Sequence, residues 1–413
     1  MTPNRPVRTT LLTAIMACLA AAALGGCQAP ARPDYNRPLP PGTWALRLLL
    51  DPARWPDLQR CWQSRDVELA AALRRSAQWF EKPSARDFFP IGDVGWQRAR
   101  VSIHAFAAIA EKSTGARDFE DAVRDNFNCY TSVGYDDRGS VLYTGYYTPT
   151  FRAALKPTDR FRFPLYRRPA DLATDPVRGT VLGRKVGSGY APYPARAEIE
   201  DSGMLAGLEL VYLGSRLDQY LIQVNGSARL HLPGGDMLYV GYAGSNGRPY
   251  TGLGQTLIDE GVLRPEQVGM TSIRRHFYNR PQLLDQYIRR NERYVFFTEY
   301  DGSDWPAGSL GFRVGPLRSL ATDKQVFPRG GVVVVDTAMT PPDGVRYRMT
   351  RLMLDQDTGG AIRAAGRADI YYGIGPAAAE LAGHQFAEGR LYYFFLKPER
   401  VAAWQQRLGG SGR

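Results

Sequence analysis

The sequence predicts a mainly β fold with helices gathered toward its N-terminal end, divided into two domains. Three observations predict it. Apolar residues recur at helical spacing between Asp66 and Cys129. Beyond about residue 138 the pattern changes to short runs rich in β-branched and aromatic residues, separated by Gly, Pro, Asn and Asp. A chain of 413 residues, 44% of them hydrophobic, can bury one large core or two moderate ones, and chains of this length usually split.

In chain order, the first 26 residues read as a secretory signal: Arg5 and Arg8 give a basic start, Leu11 to Leu24 an apolar stretch, and small residues follow. Leu24-Gly25-Gly26-Cys27 resembles a bacterial lipobox, in which the cysteine is lipidated and becomes the mature N-terminus. The apolar stretch is short for a transmembrane span. Residues 27–41 are therefore expected to be a lipid anchor and an extended tether, with Pro30, Pro33, Pro38, Pro40 and Pro41 excluding regular structure. No aspartate follows Cys27, only Gln28 and Ala29, which favours the periplasmic face of the outer membrane. Formal net charge is +11, or +9 without Arg5 and Arg8. A basic body suits an anionic partner. Export, and the lack of a dense Lys/Arg block, argue against nucleic acid.

Within the body, Leu69, Leu73 and Phe80 predict a helix over Asp66 to Lys82, with two more amphipathic helices over Val101 to Ala110 and Phe119 to Cys129. Strands are predicted over Val141 to Tyr147, Phe161 to Tyr166, Leu208 to Leu213, Tyr220 to Val224, Arg229 to Leu232 and Met237 to Tyr242. Leu232-Pro233-Gly234-Gly235-Asp236 is a hairpin turn between the last two. Helices are predicted over Gln255 to Glu260, stopped by Gly261, and over Pro281 to Arg290, opened by its proline. Strands return at Tyr294 to Phe297, Val332 to Val335, Arg351 to Leu354 and Leu391 to Leu396. The helix pair before residue 292 marks a seam, so the middle β region reads as one domain inserted into another.

Of four cysteines, Cys18 leaves with the signal and Cys27 is the lipidation site. Cys61 and Cys129 stay open between a disulfide and two buried thiols. The four histidines are far apart and no metal-ligand spacing occurs, so neither a metal nor a cofactor is expected. No Gly-x-Ser-x-Gly elbow, Walker loop or Ser-x-x-Lys is apparent, which weakens serine hydrolase, nucleotide and penicillin-binding readings.

Candidate chemistry concentrates in Asp357 to Pro376. Gly359, Gly360, Gly366, Gly373 and Gly375 are too many for a helix interior and suit tight turns or close approach of backbone to a ligand. Asp369 lies between Arg367 and the run Ile370, Tyr371, Tyr372, where burial raises its pKa and the arginine lowers it. Aspartates also cap turns, so both Asp357 and Asp369 have a purely structural reading. Asp357-Thr358-Gly359 matches an aspartic protease tripeptide, but that chemistry needs two copies, and Asp336-Thr337 continues with Ala338. Tyr146 and Tyr147, within Thr144 to Pro149, suit sugar rings and equally suit strand packing. Gly241 to Gly247, with Tyr242, reads as a flexible polar loop.

Together these segments resemble the MltA family of membrane-bound lytic murein transglycosylases. The matching residues are Thr144 to Pro149, Pro194 to Ile199, Gln223-Val224-Asn225-Gly226-Ser227, Gly241 to Gly247, Leu257 to Gly261, Tyr294 to Phe297, and Asp357 to Pro376, the family's aspartate-rich "3D" segment. They run in the family's order across residues 140 to 396. The resemblance implies two β-barrel domains with a glycan groove between them. The C-terminal one would be a double-psi barrel from residues 42–149 and 299–403 that carries the N-terminal helices, and residues 150–298 the inserted second barrel. It implies cleavage of the β-1,4 bond between N-acetylmuramic acid and N-acetylglucosamine in peptidoglycan, endo or exo, with closure to a 1,6-anhydro end. By position, Asp369 would be the catalytic acid, supported by Asp357 and Asp323. Thr144, Gly145, Tyr146, Tyr147, Gln223, Asn225, Ser227 and Tyr242 would meet the glycan. Ala228 departs from the family's usual glycine and allows less backbone freedom.

The chemistry is self-consistent. A glycoside hydrolase needs two carboxylates because one must activate water or attack carbon. Where the sugar's own C6 hydroxyl is the nucleophile, one tuned aspartate suffices to give and then take a proton. Two other readings are a catalytically silent peptidoglycan-binding lipoprotein and a hydrolase on the same scaffold. Partners beyond glycan strands and the membrane that the lipid enters are not legible.

Overall fold

The helical opening of the body follows the apolar spacing closely. After strand β1 (Leu46–Leu48) come α1 (Leu58–Gln63), α2 (Val67–Phe80), α3 (Trp96–Lys112) and α4 (Ala116–Asn126). Asp57 and Asp66 start α1 and α2 by accepting the amides of Arg60 and Leu69 at 2.8 and 2.9 Å. The predicted helix over Phe119 to Cys129 stops early: β2 (Phe127–Ser132) begins at Phe127. Its aromatic and β-branched residues are nearly all buried, and β2 finds strand partners on both edges. Cys61 and Cys129 are free and buried, so the two-thiol reading holds; burial pushes both thiols far above their ordinary range. The computed structural model describes residues 33–176, 179–264, 270–339 and 341–410. The signal and the lipobox cysteine Cys27 lie outside the described residues. Tyr35–Arg413 form the compact body.

From β3 (Val141–Thr148) the chain passes into a second sheet. Its strands and helices, in order, are β4 (Thr150–Ala154), β5 (Phe163–Tyr166), β6 (Leu172–Thr174), β7 (Val181–Val186), β8 (Gly189–Ala191) and α5 (Arg196–Ser202). Then come β9 (Glu209–Leu213), α6 (Arg216–Asn225), β10 (Ser227–His231), β11 (Met237–Ser245), α7 (Leu253–Asp259), α8 (Met270–Phe277), α9 (Pro281–Arg289) and β12 (Val295–Tyr300). Six of these strands pair in the order β12-β11-β10-β4-β9-β5, and a bridge between Arg167 and Phe297 links the two ends. The hairpin predicted at Leu232 to Asp236 joins β10 and β11, with His231 opposite Met237.

Two predictions fail here. Tyr220 to Val224 is helix, inside α6, not strand. Ser215 caps the start of α6, Gly226 ends it in the left-handed conformation, and Leu217, Tyr220 and Leu221 pack with α7, α8 and α9. Tertiary packing overrides the β propensity of Tyr, Ile and Val. Gly241 to Ser245, read as flexible loop, is the end of β11; Gly241 must be glycine because a β-carbon there would lie 2.5 Å from the Tyr300 ring.

The chain then returns to the first sheet with β13 (Ser319–Ala321), β14 (Val332–Met339), β15 (Tyr347–Asp357), β16 (Arg367–Ile374), α10 (Pro376–His384), β17 (Phe386–Leu396) and α11 (Val401–Gly410). Strand order is β1-β2-β17-β14-β15-β13-β16-β3, and β3 pairs again with β17. The last six strands therefore form a hydrogen-bonded ring. The short β13 is held by its neighbours' side chains. Arg318, fully buried, bonds to Asp66 at 2.9 Å, to the Leu352 carbonyl at 2.7 Å and to the Ser64 carbonyl, tying the strand to α1, α2 and β15. Beyond it, Lys324 and Asp355 form a buried ion pair, with Asp355 also accepting Thr322 and Tyr393 hydroxyls at 2.8 and 2.7 Å.

Lys324→Met would leave Asp355 charged and uncompensated. It is expected to lower the unfolding free energy by about 3–5 kcal/mol in urea titration, whereas adding Asp355→Leu recovers more than half of the loss.

Candidate active site

One residue of β13 aligns the two aspartates. Ala321 stands opposite Asp357 on β15 and opposite Asp369 on β16. With neighbouring strands about 4.8 Å apart, the two α-carbons are about 10 Å apart, too far for carboxylates that share a proton. A register shift lies between Leu320 and Ala321, where β15 carries one extra residue. In a regular strand Asp357 would face with Asp355, two residues earlier; the extra residue reverses the alternation and turns Asp357 toward the face of Asp369.

The row continues across the sheet. Asp369 is in register with Thr144 on β3, and Tyr371 with Tyr146. Thr144 Oγ1 donates to Asp369 Oδ1 at 2.9 Å while accepting from Arg367 at 3.3 Å. Among the described residues no hydrogen-bond partner meets Asp369 Oδ2. The residue is half-buried: protein surrounds it closely but leaves one side open. Its pKa is raised to about 6, first by burial; Asp357's charge adds to the rise, while Arg367 and the Thr144 bond oppose it.

Asp357 is placed differently. Oδ1 accepts the amides of Ser309 and Thr358 at 2.9 and 2.8 Å, and Oδ2 accepts the Tyr146 hydroxyl at 2.8 Å. Burial raises its pKa as well. Three protein hydrogen bonds thus fix its carboxylate. Asp323 does not join the pair: it accepts the amides of Gln325 at 3.0 Å and Ala364 at 2.8 Å, the latter at φ +60°. It fixes the turn after Gly359-Gly360 against the loop that follows β13.

The other predicted contacts divide. Ser227, at the start of β10, meets Thr148 Oγ1 at 3.4 Å, and Thr148 meets the Tyr371 hydroxyl at 2.9 Å, so this end of the second sheet reaches the aspartate face. Tyr242 is 47% exposed and bonds to Ser245 at 3.3 Å. Gly145 serves packing: a β-carbon there would lie 2.7 Å from the Ala382 α-carbon of α10. Tyr147 packs against the first-sheet core. Gln223 is buried inside α6, and Asn225 bonds back to the Leu221 carbonyl at 2.8 Å, closing the helix. Sequence reasoning missed Tyr250, whose hydroxyl feels the charges of Arg367 and Asp369, and Arg293, which in turn feels Tyr250 and Tyr242. Arg293 precedes the noted run Tyr294 to Phe297; nothing local marks it. No group of His, Cys, Asp and Glu among the described residues could hold a metal ion.

Comparison with known proteins gives matches to both sheets. The MltA-specific insert domain matches residues 142–298 and the 3D domain residues 318–395. Membrane-bound lytic murein transglycosylase A of Vibrio cholerae is 30% identical over 269 residues, 64% of this chain and 68% of the relative. The Escherichia coli protein of that name is 29% identical over 300 residues, 71% and 76% of the two chains. The crystal structure of a membrane-bound lytic murein transglycosylase from Agrobacterium tumefaciens superimposes with a TM-score of 0.68 at 26% identity, covering 83% of this chain and 96% of that one.

A raised pKa has a cost in stability once the group ionises. Folded Asp369 keeps its proton up to about pH 6, above the ordinary aspartate value of 3.8. That contribution is complete below the ordinary value and is lost as pH rises through the folded one. Asp369→Asn, neutral throughout, is expected to exceed wild type by about 2 kcal/mol at pH 8 and to match it at pH 4 in urea unfolding.

Proposed function

The chain belongs to the MltA family of membrane-bound lytic murein transglycosylases and acts on peptidoglycan as a lytic transglycosylase; we propose that it does so with one acid/base, Asp369. In this reading Asp369 protonates the oxygen between N-acetylmuramic acid and N-acetylglucosamine, and positive charge develops at C1 of the muramic ring. The carboxylate then takes the proton of that ring's C6 hydroxyl as the hydroxyl oxygen bonds to C1. The product is a 1,6-anhydro end, no water is consumed, and Asp369 finishes protonated. Holding the hydroxyl beside C1 supplies the nucleophile that a hydrolase must capture from solvent.

The observation that carries this is the asymmetry of the two carboxylates. Asp369 has one oxygen oriented by Thr144 and the other without a protein partner, and its pKa near 6 lets it hold and release a proton at neutral pH. Asp357, bonded at both oxygens, acts as a fixed negative charge that keeps Asp369 protonated and as the anchor of Tyr146. Asp323 anchors the turn. Tyr146, Ser227 and Tyr242 would border the glycan.

The same reading takes the ring of β3, β13, β14, β15, β16 and β17 as a double-psi barrel formed by residues 42–149 and 299–403. Residues 150–298 form the inserted barrel, and a glycan groove runs between them; the closed pairing of β3 with β17 and the Arg167–Phe297 bridge support it. Among the described residues no helix is long and apolar enough to cross a membrane. Lipidation at Cys27 would hold the body to the periplasmic face of the outer membrane, with the proline-rich segment as its tether.

Mass analysis of products from purified sacculi tests the reaction. Wild type should release anhydro-ended fragments, lighter by one water than hydrolytic ones; reducing ends would overturn the proposal. Asp369→Asn should lose at least about a thousandfold in turnover.

The rate should fall about tenfold per pH unit above pH 6, as the acid form is depleted. Asp357→Asn removes a charge that raises the Asp369 pKa, so this fall should begin at lower pH.

A further inference from the structure

Arg293 lies where the second sheet meets the 3D segment, just before Tyr294, and its side chain rests on the turn that leads to Asp369. A β-carbon on Gly360 would stand 3.2 Å from Arg293 Nε and 3.4 Å from Cζ, so the guanidinium lies flat on the bare glycine. Gly360 has no positive φ, so what its missing side chain provides is room: any β-carbon there would press on the arginine. The next residue, Ala361, accepts Arg367 at 3.3 Å through its carbonyl, and Arg367 reaches Thr144 beside Asp369. Arg293 is thus linked to the proposed acid through the Gly360-Ala361 turn, Arg367 and Thr144.

Among the described residues no carboxylate forms an ion pair with Arg293. The charged and phenolic groups that bear on it are Arg363, a like charge, and the hydroxyl-bearing rings of Tyr242 and Tyr250. Among the described residues neither Arg293 nor Arg363 is in an ion pair. Burial disfavours the charged form of Arg293, and Arg363 worsens it. Arg363 follows Gly360 by three residues, past the turn that the Ile362 amide closes on the Gly359 carbonyl at 3.1 Å, so an exposed guanidinium stands on the segment against which Arg293 rests, and an anion that reaches both meets two cations.

We propose that Arg293 and Arg363 bind a carboxylate carried by the glycan strand beside the scissile bond. The inference rests on the proposed function and names what that site selects. Peptidoglycan offers two sources of this chemistry: the lactyl carboxylate of a muramic acid stripped of peptide, and the peptide carboxylates of an intact stem. A planar guanidinium suits either, by paired hydrogen bonds. Neutral chitin oligomers carry the same backbone and no carboxylate.

Binding and turnover of Arg293→Gln, Arg363→Gln and the double variant can be compared on three ligands: peptide-bearing strands, amidase-stripped strands and chitohexaose. Affinity should fall about tenfold more for carboxylate-bearing strands than for chitohexaose, with the KM rising more than kcat falls. Loss on stripped strands assigns the lactyl carboxylate; loss on peptide-bearing strands alone assigns the stem. Arg293→Lys, which keeps charge but not the fork, should fall between wild type and Arg293→Gln, and thermal melting identifies any variant that has merely unfolded. Equal losses on all three ligands, or none on any, overturn the proposal. Should wild type fail to cleave any strand, the proposed function fails, while the binding comparison still decides the carboxylate site.

Discussion

The site depends on a strand of three residues. β13 lies between β15 and β16, and Ala321 alone sets the level at which Asp357 and Asp369 stand. A strand this short cannot hold its place through ladder bonds. Buried polar contacts do it: Arg318 before the strand, Ser319 bonded to Gln356 at 2.7 Å, and the Lys324–Asp355 pair after it. Gln356 in turn reaches the Ala72 carbonyl and Ser76 of α2 at 2.8 and 2.9 Å. The N-terminal helices, outside any catalytic motif, thereby fix the geometry of the carboxylates. Such networks are costly when incomplete, and this one is filled from four separate segments.

Two aspartates in one short segment invite a paired mechanism, and the bonding separates them instead. Asp357 is spent on two amides and a tyrosine; Asp369 has a single oriented contact and an open side. The strand separation removes proton sharing, so each influences the other through charge alone. Glycines around them are used for contact as much as for turning: Gly360 carries Arg293 and Gly308 lies against the Gln356 carbonyl.

What could be read from the sequence was what is local. The apolar spacing of α2 and α3 and the valine run of β14 predicted those elements because neighbours along the chain decide them. Glycine density marked the Asp357 to Pro376 segment, and adjacent aromatics marked Thr144 to Pro149. Tyr220 to Val224 misled because strand-forming side chains were enlisted into a helix by packing with α7, α8 and α9, whose contacts lie up to about seventy residues away. Phe127 to Ser132 was cut from its helix by strands at the far end of the chain. The roles of Asp323, Asp355 and Arg293 were invisible for the same reason: each is defined by a partner that only the fold supplies. Resemblance to a family named the segments without saying which side chains face inward.

The closing of the ring has a consequence for timing. Asp369 and Thr144 are separated by 225 residues, and β3 is clasped between β16 and the final strand β17. Contacts this distant form late, because the loop entropy must be met before they return anything. Thr144 stands between Asp369 on one side and Phe386 on the other, so the strand that orients this aspartate is itself held by the last strand of the chain.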